Sequence, residues 1–259
     1  MELTEIDIIS GIFSIISIVI FTILGFIIIS KYFKHKTRDH LLFGLTVVGL
    51  VEPHYGPAFS FLSVLITGQS LSAEIYFLIS LIGNPIILVC FITVATDLFY
   101  KDKQKIIQSI FIIYSIIIEI CLIYFLIYYP SLVGKVIGVT DSEYGIFTRV
   151  YVISALLVLI VGGTLIARES LRSNNPGIKI KGKILLPAFY IFAISAIIDA
   201  AVPLNAITLL LNRILFILSG ILFYVGFILP DWVKNYIIKE KLLNKKYWSL
   251  IFLMKIIIN

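Results

Sequence analysis

Long apolar runs separated by short polar segments dominate the chain. The runs occupy residues 6–30, 41–66, 75–99, 106–129, 146–167, 184–202 and 206–229. Crossing a bilayer takes roughly 20 apolar residues in an α-helix, and each run meets or approaches that length. Residues 184–229 are too long for one span, and Pro203 with Asn205 supplies a turn that divides them. Ile and Val are abundant, but the runs are continuous. A transmembrane barrel strand would alternate apolar and polar positions over about 10 residues. The pattern therefore predicts an all-α polytopic membrane protein. Its seven-transmembrane-helix bundle fills residues 1–232, and a basic amphipathic tail follows over 233–259.

Composition narrows the class further. Hydrophobic residues make up 60% of the chain and charged residues 14%, and the mean hydropathy is +1.07. These values exclude a soluble globular domain, a disordered chain and a disulfide scaffold. Met1–Asp7 carries three acids and no base, unlike the positive start of a secretory signal, so the first run is expected to persist as a helix.

The positions of the bases predict orientation. Lys31, Lys34, Lys36 and Arg38 follow the first run, and Lys101, Lys103 and Lys105 follow the third. Arg168, Arg172, Lys179, Lys181 and Lys183 follow the fifth, and Lys234, Lys239, Lys241, Lys245, Lys246 and Lys255 follow the last. The other set of connections holds only Lys135. Cytosolic loops carry Lys and Arg, so the N-terminus is expected outside and the C-terminus in the cytosol of a multi-pass plasma-membrane protein. The net charge of +6 then faces anionic headgroups of membrane lipids. Bases spread over four segments do not form a nucleic-acid-binding face. Cys90 and Cys121 fall in opposite halves of the third and fourth helices, so no disulfide is expected.

Ionisable and amide side chains inside the runs carry the candidate chemistry, because such groups are costly in hydrocarbon and mark function. They are Glu52, His54, Asn84, Asp97, Glu119, Arg149, Asp199, Asn212 and Arg213. At a rise of about 1.5 Å per residue, Glu52, His54, Asn84 and Glu119 lie near mid-depth. Arg213 lies about 7 Å outward, and Asp199 and Arg149 about 10 Å. Apart from Asp97, these groups share one layer. They predict an outward-facing polar pocket for a small ligand or ion, lined by Glu52, His54, Tyr55, Asn84, Glu119, Arg149, Asp199 and Arg213. A set of interhelical ion pairs is the simpler reading of the same residues. Asp199 with Arg213, across the turn, is the expected internal pair, and Glu52 is expected to be hydrogen-bonded or paired with Arg213. Glu52-Pro53-His54-Tyr55-Gly56-Pro57 interrupts the second helix and Asn84-Pro85 kinks the third. Asp97, near the cytosolic end of the third run, is expected to pair with a loop base or to act as a switch contact.

No enzyme, cofactor or metal site is expected. The last run lacks a lysine for a retinal Schiff base, and the three histidines, His35, His40 and His54, do not make a zinc set. No phosphate loop or dinucleotide fingerprint is present.

Leu222-Phe223-Tyr224-Val225-Gly226-Phe227-Ile228-Leu229-Pro230-Asp231-Trp232, followed by a basic segment, resembles the end of the seven-helix sensory regions N-terminal to some archaeal and bacterial histidine kinases. The topology also resembles that of rhodopsin-like and G-protein-coupled receptors. The resemblance implies a receptor-like sensor. Too few residues follow 232 for a catalytic domain, so signalling would pass to a separate cytosolic partner. The richness in Ile and Lys fits a prokaryotic, archaeal source. The alternatives are a seven-helix small-solute transporter, whose expected three-helix repeat is not evident here, and a structural or assembly protein of the membrane.

Overall fold

Local chemistry accounts for where each helix starts and stops. The computed structural model describes residues 3–201 and 205–236. Helix α1 (Glu5–His35) opens on a capping box between Thr4 and Asp7 and closes at Lys36, whose φ of 55° is left-handed. Helix α2 (Arg38–Gly49) gives way to a 3-10 turn (Glu52–His54), and α3 (Tyr55–Thr67) follows. Pro53 and Pro57 have no N–H for the helical ladder, which is why the second apolar run is two helices rather than one. The third run divides in the same way, into α4 (Ala73–Leu81) and α5 (Asn84–Phe99), because Pro85 has no N–H to give to Leu81.

Helix α6 (Gln104–Tyr128) leads through a short α7 (Pro130–Val133) into an antiparallel hairpin, β1 (Gly134–Ile137) with β2 (Asp141–Tyr144). Helices α8 (Ile146–Arg172), α9 (Pro176–Ala201) and α10 (Ala206–Ile228) complete the described chain, with residues 231–236 also helical. Asn205 caps α10 by accepting from Ile207 and Thr208. Pro203 and residues 237–259 of the expected tail lie outside the described residues.

Among the described residues the protein is all-α apart from the hairpin, with six helical segments long and apolar enough to cross a membrane. They are Glu5–Lys34, Ala73–Leu98, Lys101–Tyr128, Ile146–Arg172, Pro176–Asp199 and Ala206–Ile228. The broken run α2–α3 lies antiparallel to α1 along its length. A Cβ on Gly25 would come within 2.8 Å of the Gly44 carbonyl oxygen of α2, and one on Gly11 within 2.3 Å of the Phe61 ring of α3. Close backbone approach through small residues is how apolar helices associate without a hydrophobic driving force.

The two ends of the bundle differ. At one end Asp7 of α1 accepts from the Val139 and Thr140 N–H groups and from the Thr140 hydroxyl, at 3.3, 3.2 and 3.1 Å. The Tyr76 hydroxyl donates to the Thr140 carbonyl at 3.1 Å, so the hairpin is tied down from two helices. At the other end, the connection between α8 and α9 is only 173–175. The segment 168–183, expected as a basic loop, is mostly helix. Lys179, Lys181 and Lys183 stand in the first turns of α9, because long basic side chains reach polar surroundings without ending the helical ladder. Lys181 Nζ donates to the Phe227 carbonyl at 2.6 Å, satisfying an end of α10. Between the ends, Phe21, Phe43, Phe91, Phe189 and Phe223 are fully buried. Ile106, Ile110, Ile113, Ile117 and Ile120 are exposed along the outer face of α6.

Candidate binding site at the broken helices

The 3-10 turn sets the geometry. With three residues per turn, side chains two apart diverge by roughly 120°. Glu52 and His54 therefore face different neighbours, and the single polar layer expected from sequence resolves into two clusters.

On the His54 side, Arg213 is the hub. Its Nη1 lies 2.8 Å from His54 Nε2 and 3.1 Å from Asp199 Oδ1. A guanidinium has only donors, so His54 Nε2 accepts and the imidazole is neutral. The ring stacks on Phe216 at 4.4 Å. Asn212 Nδ2 donates to Asp199 at 3.3 Å, and the Ser195 hydroxyl donates to Asn212 Oδ1 at 2.9 Å. Side-chain exposure is 6% for Arg213 and 30% for Asp199, so the pair is nearly closed off. Arg213 Nε is buried with no partner among the described residues. The expected Asp199–Arg213 ion pair is present; a Glu52–Arg213 pair is not.

On the other side, Glu52 is buried, and its Oε1 accepts from the Gly83 N–H at the α4–α5 break. Among the described residues its Oε2 has no partner, and neither has either oxygen of Glu119 or the hydroxyl of Tyr151. Ser115, one turn before Glu119 on α6, donates to the Pro85 carbonyl at 2.8 Å. Glu52 and Glu119 thus approach the same break from two helices. Asn84 Nδ2 donates to the Ser80 carbonyl at 3.2 Å.

Three expected site residues lie elsewhere. Arg149 is exposed in the first turn of α8, because that helix begins only three residues before it, at the end of the bundle. Tyr55 packs on Phe59 at 6.1 Å between ring centres and lines neither cavity described below. Asp97 is held at the opposite end of the bundle by both nitrogens of the Arg38 fork, at 2.7 and 2.6 Å, and Arg38 also reaches Gln104 at 2.9 Å. That is the expected pairing with a loop base.

Two cavities adjoin the break. The larger, about 100 Å³, is lined mainly by apolar side chains including Leu88, Phe91 and Leu159, together with Asn84 and Tyr151. The smaller, about 60 Å³, is lined by His54, Arg213, Asp199, Ser195 and Tyr144. Leu50, Pro53, Val152, Phe192 and Ala196 border both. Burial pushes the Tyr144 phenol above its usual pKa, so it stays a neutral hydroxyl.

Sequence reasoning missed Ser195, Tyr144, Tyr151 and Gly83. Ser195 was legible, since it lies four residues before Asp199 on one helix face. Tyr144 was not, because a four-residue strand in a polar connection has no periodic signal. No protein-family model, curated protein or solved structure matches the chain.

Proposed function

We propose that this is a receptor-like membrane sensor that crosses the bilayer seven times and binds a small neutral molecule in the paired cavities. The seventh crossing in this reading is the broken segment α2–α3. Its contacts with α1 run from Gly25 to Gly11, roughly 21 Å of helix rise, over most of the hydrocarbon thickness. The bases gather at the end opposite the hairpin, which supports a cytosolic position for that end.

The observation that carries the reading is the polar end of the cavity pair. Arg213, Asp199 and neutral His54 together carry no net charge, while Arg213 Nε–H remains an unmet donor. A charged ligand would unbalance that cluster. A neutral hydrogen-bond acceptor on an apolar body complements it, with the body in the larger chamber. Combined, the chambers match a cavity that accepts a molecule of about the size of a substituted benzene. Such a molecule crosses lipid unaided, which favours detection over transport.

The output route is physical. Helix α2 ends at the break on one side and carries Arg38 on the other, and α5 likewise joins the Gly83 break to Asp97. A ligand that shifts the break therefore loads the Arg38–Asp97 fork, where a cytosolic partner would read it.

The test is a thermal-shift panel of short ketones, alcohols and substituted aromatics on the purified protein. At least one class should raise the melting temperature, and Ala196→Phe, which fills the shared wall, should abolish the rise. No stabilisation by any class would remove the reading. Protein-dependent uptake of a stabilising compound into liposomes would favour the transporter.

A further inference from the structure

The Glu52 side of the break has more acceptors than the protein uses. Glu52 is buried, with 4% of the residue exposed, and its Oε2 is unpaired among the described residues. Tyr151 is equally buried, at 4% exposure, and its hydroxyl is unpaired. Both oxygens of Glu119 are shielded and unpaired. No base contacts Glu52 or Glu119 among the described residues, since Arg213 is committed to Asp199 and His54. The other phenols nearby are Tyr55 and Tyr114, and the Tyr114 hydroxyl is hydrogen-bonded to Ser154 at 2.6 Å. Two buried carboxyls without a counter-charge are costly, and intramembrane acids of this kind occur where they meet a cation or backbone carbonyls. The break supplies the latter, because Pro85 leaves the Leu81 carbonyl without its helical donor.

We propose that Glu52, Glu119 and Tyr151, around the α4–α5 break, hold a sodium ion. The unpaired atoms are all oxygens, the donor set that hard cations take. One sodium ion, with a proton retained on one of the two acids, leaves the site neutral. Magnesium fits poorly, because it demands near-ideal octahedral geometry and keeps several of its waters. Glu52 and Glu119 line neither ligand-binding cavity, Tyr151 also lines the larger one, and the proposal does not rest on the sensor reading.

Purified protein in sodium-free N-methyl-D-glucamine chloride is the reference state. Replacing that salt by NaCl at constant ionic strength should raise the melting temperature saturably, by about 3 °C at ten times the dissociation constant. Glu52→Gln and Glu119→Gln should each abolish the rise, Tyr151→Phe should weaken the affinity, and Glu169→Gln, at the exposed ion pair with Arg172, should leave it intact. Equilibrium binding of radioactive sodium to the unaltered protein should saturate near one ion per chain, which decides the matter even where a variant does not fold. Absence of saturable sodium binding, a rise that survives both Gln variants, or stabilisation by calcium or magnesium but not sodium would overturn the assignment.

Discussion

The two faces of the 3-10 turn meet the same problem, polar groups at depth, and meet it differently. On the His54 face the polar groups partner one another, and among the described residues the Arg213 Nε hydrogen is the one buried there without an acceptor. Arg213 bridges Asp199 and His54, Asn212 supports Asp199, and Ser195 supports Asn212. On the Glu52 face, one hydrogen bond from Gly83 serves two acids and a tyrosine. The difference follows from where bases stand in the sequence. Helix α10 brings Arg213 to one face, and no helix among the described residues brings a base to the other. Satisfied networks rigidify, whereas groups left unpaired are where a ligand, ion or proton has the most to contribute.

Stability measurements can break this contrast. The largest effect is expected at the hub. Arg213→Ala leaves Asp199 without its cation and should cost about 3 kcal/mol in unfolding, the low end for a buried pair because Asp199 is partly open. A cost below about 1 kcal/mol would mean that the network carries little.

Next comes the coupling. A double-mutant cycle with Arg213→Gln and Asp199→Asn should return an interaction energy of about 2 kcal/mol, since the two touch directly. The corresponding cycle between Arg213 and Glu52 should return close to zero, because the turn keeps them apart. Measurable coupling there would merge the two faces into one site.

Ser195→Ala should cost about 1 kcal/mol, the usual net value of one buried hydrogen bond, read from the same melts. On the Glu52 face, in sodium-free buffer, the sign should change. Tyr151→Phe removes a hydroxyl that has no partner and should be neutral or stabilising by up to about 1 kcal/mol. Glu52→Gln keeps an acceptor for Gly83 and should stay within about 1 kcal/mol of the parent. A loss of more than about 2 kcal/mol in either variant would show a hidden partner.

Much of this was legible without coordinates. Apolar runs of about the span length have few alternatives to helices, because every backbone N–H and C=O in hydrocarbon must be satisfied within its own segment. Proline positions marked the interruptions at Pro53, Pro57 and Pro85, since a missing N–H is a local fact. The opposite charges of Asp199 and Arg213, either side of a turn, were enough to anticipate their pairing. Tertiary structure alone decided the rest. Whether Arg213 turned towards Glu52 or His54 depended on the pitch of a three-residue turn, which hydrophobic pattern does not encode. Whether Arg149 joined the layer depended on the end of α8, and whether anything covered that end depended on a hairpin held by Asp7 and Tyr76. Sequence periodicity reports which side of an element is apolar. Which two elements bring their polar exceptions together is set by crossing geometry, and that is long-range information no local window contains.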